Sequence, residues 1–242
     1  MSYKVPSKPL LPYISNKDLF AKVEEVIKLT QAAVNMCEKN FYKNAIDPFS
    51  AIFDAFMKNI SLEQWIQQES SRQIQKTMQN AIGEFHQKIL GCVEGWQNMG
   101  TGNVFDLLNK DKKIIAEVKN KFNTTKGNHK VAIYDDLELQ LKNKYKGYRA
   151  YYVEIIPQNK KEYNNPFTPP DNKTKTRRAK NEKIRKIDGN SFYFFATGEK
   201  NPLKMLYDVL PIVIGIILNK KHEYLTKDKF FIELFRRAYK NQ

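Results

Sequence analysis

The stretch NVFDLLNKDKKIIAEVKNK, residues 103–121, decides the fold class. Asn103–Leu108 and Ile114–Lys119 are short runs of mainly apolar residues, with a polar turn at Lys110–Lys113 between them. That pattern predicts a β-hairpin. Strand alternation sets Ile115, Glu117, Lys119 and Lys121 on one face of the second strand, and Ile114, Ala116 and Val118 on the other. Folding back at the turn brings Asp106 opposite Glu117 or within a residue or two of it. Two carboxylates and an ammonium then converge at the open end of one sheet.

The acidic-x-Lys spacing is not informative alone, since it occurs three times, beginning at Asp111, Glu117 and Asp171. Context separates them. Asp111 belongs to the turn and Asp171 to a basic polar stretch, whereas Glu117 and Lys119 lie within an apolar strand. Charges half-buried without a counter-ion cost several kcal/mol. A divalent cation is the natural partner for the carboxylates, and oxygen ligands favour Mg²⁺. Such an ion can hold a phosphate oxygen and an attacking water together, with Lys119 assisting proton removal or steadying developing charge. An ion pair on the surface of an edge strand fits the same residues.

Working outward, residues 16–96 carry apolar positions at helical spacing, including Leu19, Val23, Val26, Ile27 and Leu29, then Ile52, Phe53, Phe56 and Ile60. Ser61 with Gln64 predicts a capping box opening a further helix. Beyond the hairpin, the expected elements are a helix over Val131–Tyr145 and a strand over Tyr148–Ile156 that Pro157 ends. A long polar stretch follows at 158–190, then a strand at Ser191–Thr197 and helices over Asn201–Leu218 and Lys227–Tyr239. The class is therefore α/β, a mixed central sheet flanked by helices, with an N-terminal helical lobe.

Composition narrows the partners. The 242 residues hold 41 Lys and Arg against 26 Asp and Glu, a formal charge of +15, which favours a polyanion. Asp171–Lys186 concentrates this charge, with Arg177, Arg178, Arg185 and Lys186 suited to guanine edges. The loop after the second hairpin strand supplies Asn123, Thr124, Lys126 and Lys130, donors suited to phosphates near a scissile bond. Two cysteines 55 residues apart exclude a disulfide scaffold and disfavour a zinc site, and His86, His129 and His222 have no partner at ligand spacing. The most apolar run, Val209–Leu218, is half the length of a spanning helix, so no membrane association and a cytoplasmic location are expected.

Asp106, ten intervening residues, then Glu117-Val118-Lys119 on a hairpin resembles the PD-(D/E)XK nuclease superfamily, and the core order ααββαβ fits it; Phe105 stands where that motif usually has Pro. A wider set resembles type II restriction endonucleases, most of all the group that cuts 5′-GGNCC: residues 80–91, Gly95-Trp96, Asp106–Asn109, Glu117–Lys121 with Asn123-Thr124, residues 188–193 and Ala196–Gly198. The resemblance implies metal binding at Asp106 and Glu117, a catalytic Lys119, and a further carboxylate from the preceding helix, for which Glu84 is the candidate. It also implies double-stranded DNA as substrate and a cognate DNA methyltransferase in the same system that is not a physical partner. A palindromic target is most simply read by a homodimer.

The expected organisation is a lobe at 1–70, with Leu19–Leu29 and Ile52–Trp65 as dimerisation candidates, and a nuclease core at 71–242 with a DNA-contacting loop at 158–190. The rival readings are a junction resolvase or repair nuclease of the same superfamily, and a non-catalytic nucleic-acid-binding protein.

Overall fold

A computed structural model describes residues 3–221 and 225–239. The chain divides into two units, Glu24–Gly83 and the remainder. Their boundaries fall inside two long helices, α1 (Asn16–Asn40) and α3 (Leu62–Leu90).

In the smaller unit, α2 (Pro48–Lys58) begins where Asp47 accepts the Phe49 amide and Pro48 supplies a preset φ. It ends at Asn59 in the left-handed region. The predicted capping box opens α3: Ser61 Oγ accepts from the Gln64 amide at 3.1 Å, and Gln64 Oε1 accepts from the Ser61 amide at 3.0 Å. Ala51 and Ala55 are buried, while Phe49, Ile52, Phe53, Phe56 and Met57 of α2 are exposed.

The larger unit is built on a six-stranded sheet. Its strands are β1 (Trp96–Asn98), β2 (Leu107–Asn109), β3 (Ile114–Lys121), β4 (Arg149–Ile156), β5 (Asn164–Pro166) and, later in the chain, β8 (Ile184–Asp188). The spatial order is β1-β2-β3-β4-β8-β5. β1, β2 and β3 run antiparallel, β3, β4 and β8 run parallel, and β5 closes the far edge antiparallel. Short β6 (Pro170–Asp171) and β7 (Thr176–Arg177) form a separate pair. Parallel neighbours need a crossover, and α4 (Gly127–Lys142) provides it between β3 and β4. Central β4 is buried along nearly its whole length, as a parallel strand covered on both faces must be.

On one face, Ile115, Ala150, Tyr152 and Ile184 pack with Ile133, Tyr134 and Leu137 of α4. On the other, the ring of Phe192 of α5 (Gly189–Thr197) packs at a tilt against Tyr151 of β4, centroids 5.9 Å apart. The first residues of the chain belong with this unit, and Leu11, Ile14, Leu19, Phe20 and Val23 are buried. Leu19 and Val23 are therefore core positions. The apolar run Val209–Leu218 lies within α6 (Pro202–Leu218), where Val213, Gly215 and Ile217 are buried. No single described helix is long and apolar enough to cross a membrane. The last described helix is α7 (Lys229–Ala238).

The structure differs from the sequence expectation at β1, which the sequence pattern does not predict, and in the stretch expected to be loop, which holds β5 to β8. Ser191–Thr197 is helical, and the strand occurs just before it, as β8, inside the stretch expected to be loop. The buried residues Gly189, Phe192, Tyr193 and Ala196 follow the i, i+3, i+4, i+7 period of a helix, which overrides the strand preference of their aromatic rings. Asp188 caps the helix by accepting the Ser191 amide, and Gly198 ends it at φ 75°.

Gly189 is where α5 meets β4. A Cβ there would stand 2.4 Å from the Ile155 carbonyl oxygen, so the helix can start against the strand only with glycine. Gly189→Ala is expected to destabilise the fold by about 1–3 kcal/mol. Gly83→Ala, with open space around its Cβ inside α3, is expected to stabilise it by about 0.5–1 kcal/mol. Urea denaturation checks both, and a neutral Gly189→Ala would refute the close-approach account.

Candidate active site

The β2–β3 register pairs Leu107 with Ala116, and continuing it by one residue sets Asp106 across from Glu117. The Asp106 amide donates to the Ala116 carbonyl at 3.0 Å, and its Oδ2 accepts the Val118 amide at 2.7 Å. These bonds fix the carboxyl at the end of the hairpin. Lys119 Nζ sits 2.5 Å from Glu117 Oε1, and both side chains are largely buried. Burial, followed by the charge of Glu117, pushes the Asp106 carboxyl up to about 7. A further cation beside Asp106 would favour its charged form.

The donor set suits a hard divalent cation that keeps several waters and takes the rest of its oxygens from substrate. Among the described residues, no three His, Cys, Asp or Glu side chains converge as an ion site. Glu84 is not part of the hairpin cluster; it pairs with Lys88 at 3.1 Å and is half exposed. From the next turn of α3, Gln87 Nε2 reaches the Val118 carbonyl at 3.4 Å, a long contact.

Sequence reasoning missed Glu154. In register it stands beside Lys119, with Asp188 on its other side. Its side chain is 1% exposed, with Lys130 Nζ at 2.9 Å, Lys186 Nζ at 3.7 Å and the Tyr163 hydroxyl donating to its other oxygen. Two cations and a hydroxyl offset the cost of burying this carboxylate. A signal existed: Glu154 is the single acid in the apolar run Tyr148–Ile156, and the same criterion picked out Glu117 in its own strand. Asp188, also buried, accepts from the Tyr163 and Ser191 amides at 2.8 and 3.0 Å.

The cationic candidates fall into two groups. Lys130 is turned inward, donating to Glu154 and to the Phe122 carbonyl, while Asn123, Thr124 and Lys126 are exposed on the loop leaving β3. Arg178 makes a two-pronged pair with Asp135, both bonds 2.7 Å, and a third bond to Asp171. Arg185 is held by Asn164 and Glu182, and Lys186 lies over the Tyr163 ring. Arg177 is exposed, with a bond to the Thr168 carbonyl. His86 is half-buried against the Tyr193 hydroxyl at 2.9 Å, and desolvation holds it down to about 4, so it is neutral near pH 7. His129 is exposed, and His222 lies outside the described residues.

A family model described as Eco47II restriction endonuclease matches residues 11–219. The type II restriction enzyme Eco47II of Escherichia coli is 44% identical over 95% of this chain and 99% of its own length. The type II restriction enzyme Sau96I of Staphylococcus aureus is 31% identical over 96% of this chain and 90% of its own. No solved structure matches. The matched span contains the whole hairpin with Asp106, Glu117 and Lys119, and the chain belongs to the Eco47II restriction endonuclease family.

Proposed function

We propose that this restriction endonuclease hydrolyses both strands of DNA at a short palindrome, 5′-GGNCC by resemblance, leaving 5′-phosphate and 3′-hydroxyl ends, with Mg²⁺ as its ion and a PD-(D/E)XK core. The observation that carries the reading is the convergence of Asp106, Glu117 and Lys119 on one hairpin end. The hairpin followed by a helix and a parallel strand supports the PD-(D/E)XK assignment.

Asp106 and Glu117 would hold the ion, and when bound it supplies Lewis acidity to a phosphoryl oxygen and lowers the pKa of water. Glu117 fixes the Lys119 ammonium at 2.5 Å. Lys119 is thereby aimed at the substrate phosphate, where it steadies charge that grows in the transition state. The Val118 amide, by bonding Asp106, keeps that carboxyl from rotating away. Glu84 enters the proposal as a carboxylate of the preceding helix that joins once DNA is bound. Asn123, Thr124 and Lys126 contact phosphates beside the cut. Lys130, Arg177, Arg178, Arg185 and Lys186 complete the proposed DNA contacts; those with acidic partners exchange them for phosphate or guanine.

The test is digestion of plasmid DNA of known sequence. With Mg²⁺, discrete fragments ending at a common palindrome are expected, and with a chelator no cutting. Smeared products, or cutting confined to branched DNA, would refute site-specific cleavage.

A two-fold dimer places one site on each strand of a palindrome. Its proposed surface is the exposed apolar face of α2, which carries Phe49, Ile52, Phe53, Phe56 and Met57. Replacing Phe53 and Phe56 together by Glu is expected to yield a monomer in sedimentation velocity and to uncouple cutting of the two strands. A parent chain that sediments as a monomer would sink the dimer. Action in the cytoplasm, alongside a methyltransferase that protects the same sequence, completes the reading.

A further inference from the structure

The face of the sheet that carries Glu117 and Lys119 has two halves. Paired residues on neighbouring parallel strands project to the same side, so the rows Glu117, Tyr152, Lys186 and Lys119, Glu154, Asp188 both belong to it. Towards the strand starts, Ile115, Ala150 and Ile184 pack with Tyr152 under α4. At the C-terminal ends of the strands the face turns charged, and Lys130, in the first turn of α4, reaches Glu154 from the covering helix.

Glu154 is closed to solvent at 1% exposure, whereas the Lys130 and Lys186 side chains beside it are 20% and 29% exposed. The carboxylate therefore cannot meet DNA, but its two cations can. Lys130 gives one ammonium donor to Glu154 Oε1 and one to the Phe122 carbonyl, and an ammonium has three. Lys186 Nζ stands 3.7 Å from Glu154 Oε2 and 4.6 Å from the centre of the Tyr163 ring, so it too keeps donors for another acceptor. Tyr163 is fixed at two points, its hydroxyl donating to Glu154 and its amide to Asp188 at 2.8 Å. Two ammonium groups drawn to one place repel each other, and the carboxylate they share offsets that repulsion.

We infer that Glu154 is a positioning residue: it presents Lys130 and Lys186 together to one backbone phosphate of the DNA, close to the phosphate being cleaved. The inference rests on the DNA-cleavage reading and narrows it for these two lysines, which keep Glu154 as they take the phosphate. Glu154 stands one strand over from Lys119, ~4.8 Å across the sheet. Phosphates follow one another every ~3.4 Å of axis along a DNA strand, so the one met here lies about one or two linkages from the cut.

The experiment uses duplexes carrying the site that the enzyme cuts, with one uncharged methylphosphonate at a time replacing each phosphate that flanks the scissile one. Single-turnover cleavage with Mg²⁺, at enzyme below saturation, is compared with the natural duplex. The parent is expected to lose roughly ten- to a hundredfold at the clamped linkage. Lys130→Met and Lys186→Met are each expected to lose most of that penalty, at the same linkage, and to keep the penalties elsewhere. Glu154→Gln, which keeps the size of the side chain but not its charge, is expected to shrink the penalty at that linkage alone. A carboxylate needed only for folding would slow every duplex by one factor and leave the profile unchanged. One that merely competed with DNA would deepen the penalty once neutralised. Either result overturns the inference. Should Glu154→Gln not fold, the lysines decide: a shared linkage upholds the inference and separate linkages overturn it. A parent that cuts the natural duplex yet shows no penalty at any linkage also overturns it, and the nuclease reading stands. If the parent cleaves no duplex at all, the nuclease reading falls and the inference with it.

Discussion

Lys119→Ala is expected to lower single-turnover cleavage by roughly a hundred- to ten-thousandfold while leaving DNA affinity within a few-fold of the parent. The ammonium is largely buried, held at 2.5 Å by Glu117 and aimed at the site from within the hairpin. Removing it takes away stabilisation realised mainly in the transition state, which lowers the rate rather than the affinity. Under the proposed DNA contacts, binding rests on cations spread over the chain, so losing this one costs little affinity. Fluorescence anisotropy in a chelating buffer reads the affinity, and quenched-flow digestion with Mg²⁺ reads the rate. A variant that cleaves within tenfold of the parent would remove Lys119 from the catalytic machinery.

Asp106→Asn should do two opposite things, abolishing cleavage and raising stability. In the cation-free protein the Asp106 carboxyl titrates near 7, against 3.8 for the ordinary group, because burial and Glu117 disfavour its charge. Between those values the folded chain holds a proton that the unfolded chain has released. Stability contributed at acid pH is therefore lost as pH rises from about 4 to about 7. Asn cannot ionise, and its oxygen can still accept the Val118 amide. At pH 8 in a chelator, Asp106→Asn is expected to be about 1–3 kcal/mol more stable than the parent, with little difference at pH 4. Adding Mg²⁺ should stabilise the parent and leave the variant unmoved. Differential scanning calorimetry at both pH values decides this. A variant that melts no higher than the parent at pH 8 would show that neither burial nor Glu117 disfavours the charge on Asp106.

Both outcomes trace to charges set in an apolar strand, and this was visible in the amino-acid order. Asp106 and Glu117 are separated by one tight turn, so alternation by two is enough to bring them face to face. The capping box at Ser61 and Gln64, the helix carrying Val209–Leu218 and the extent of β4 were legible for the same reason, since each depends on neighbours a few residues away. Glu154 obeys the rule that singled out Glu117, yet its partners could not be named in advance. They come from α4, from β8 and from the segment before β5.

Other features needed the assembled sheet. Ile184–Asp188 lies in a basic, polar stretch with no hairpin partner nearby, and becomes a buried strand only by lying alongside β4. That placement starts α5 at once, and only a glycine can sit so close to the Ile155 carbonyl. It also brings Lys186 to within 3.7 Å of Glu154, beside Lys130. By itself the sequence determined the α/β class, the local elements and the facing acids with their lysine, because short-range periodicity and one turn specify them. Which cations face a buried carboxylate and where the last parallel strand joins were decided by tertiary structure, because those depend on pairing between segments distant in the chain, which local preference does not encode.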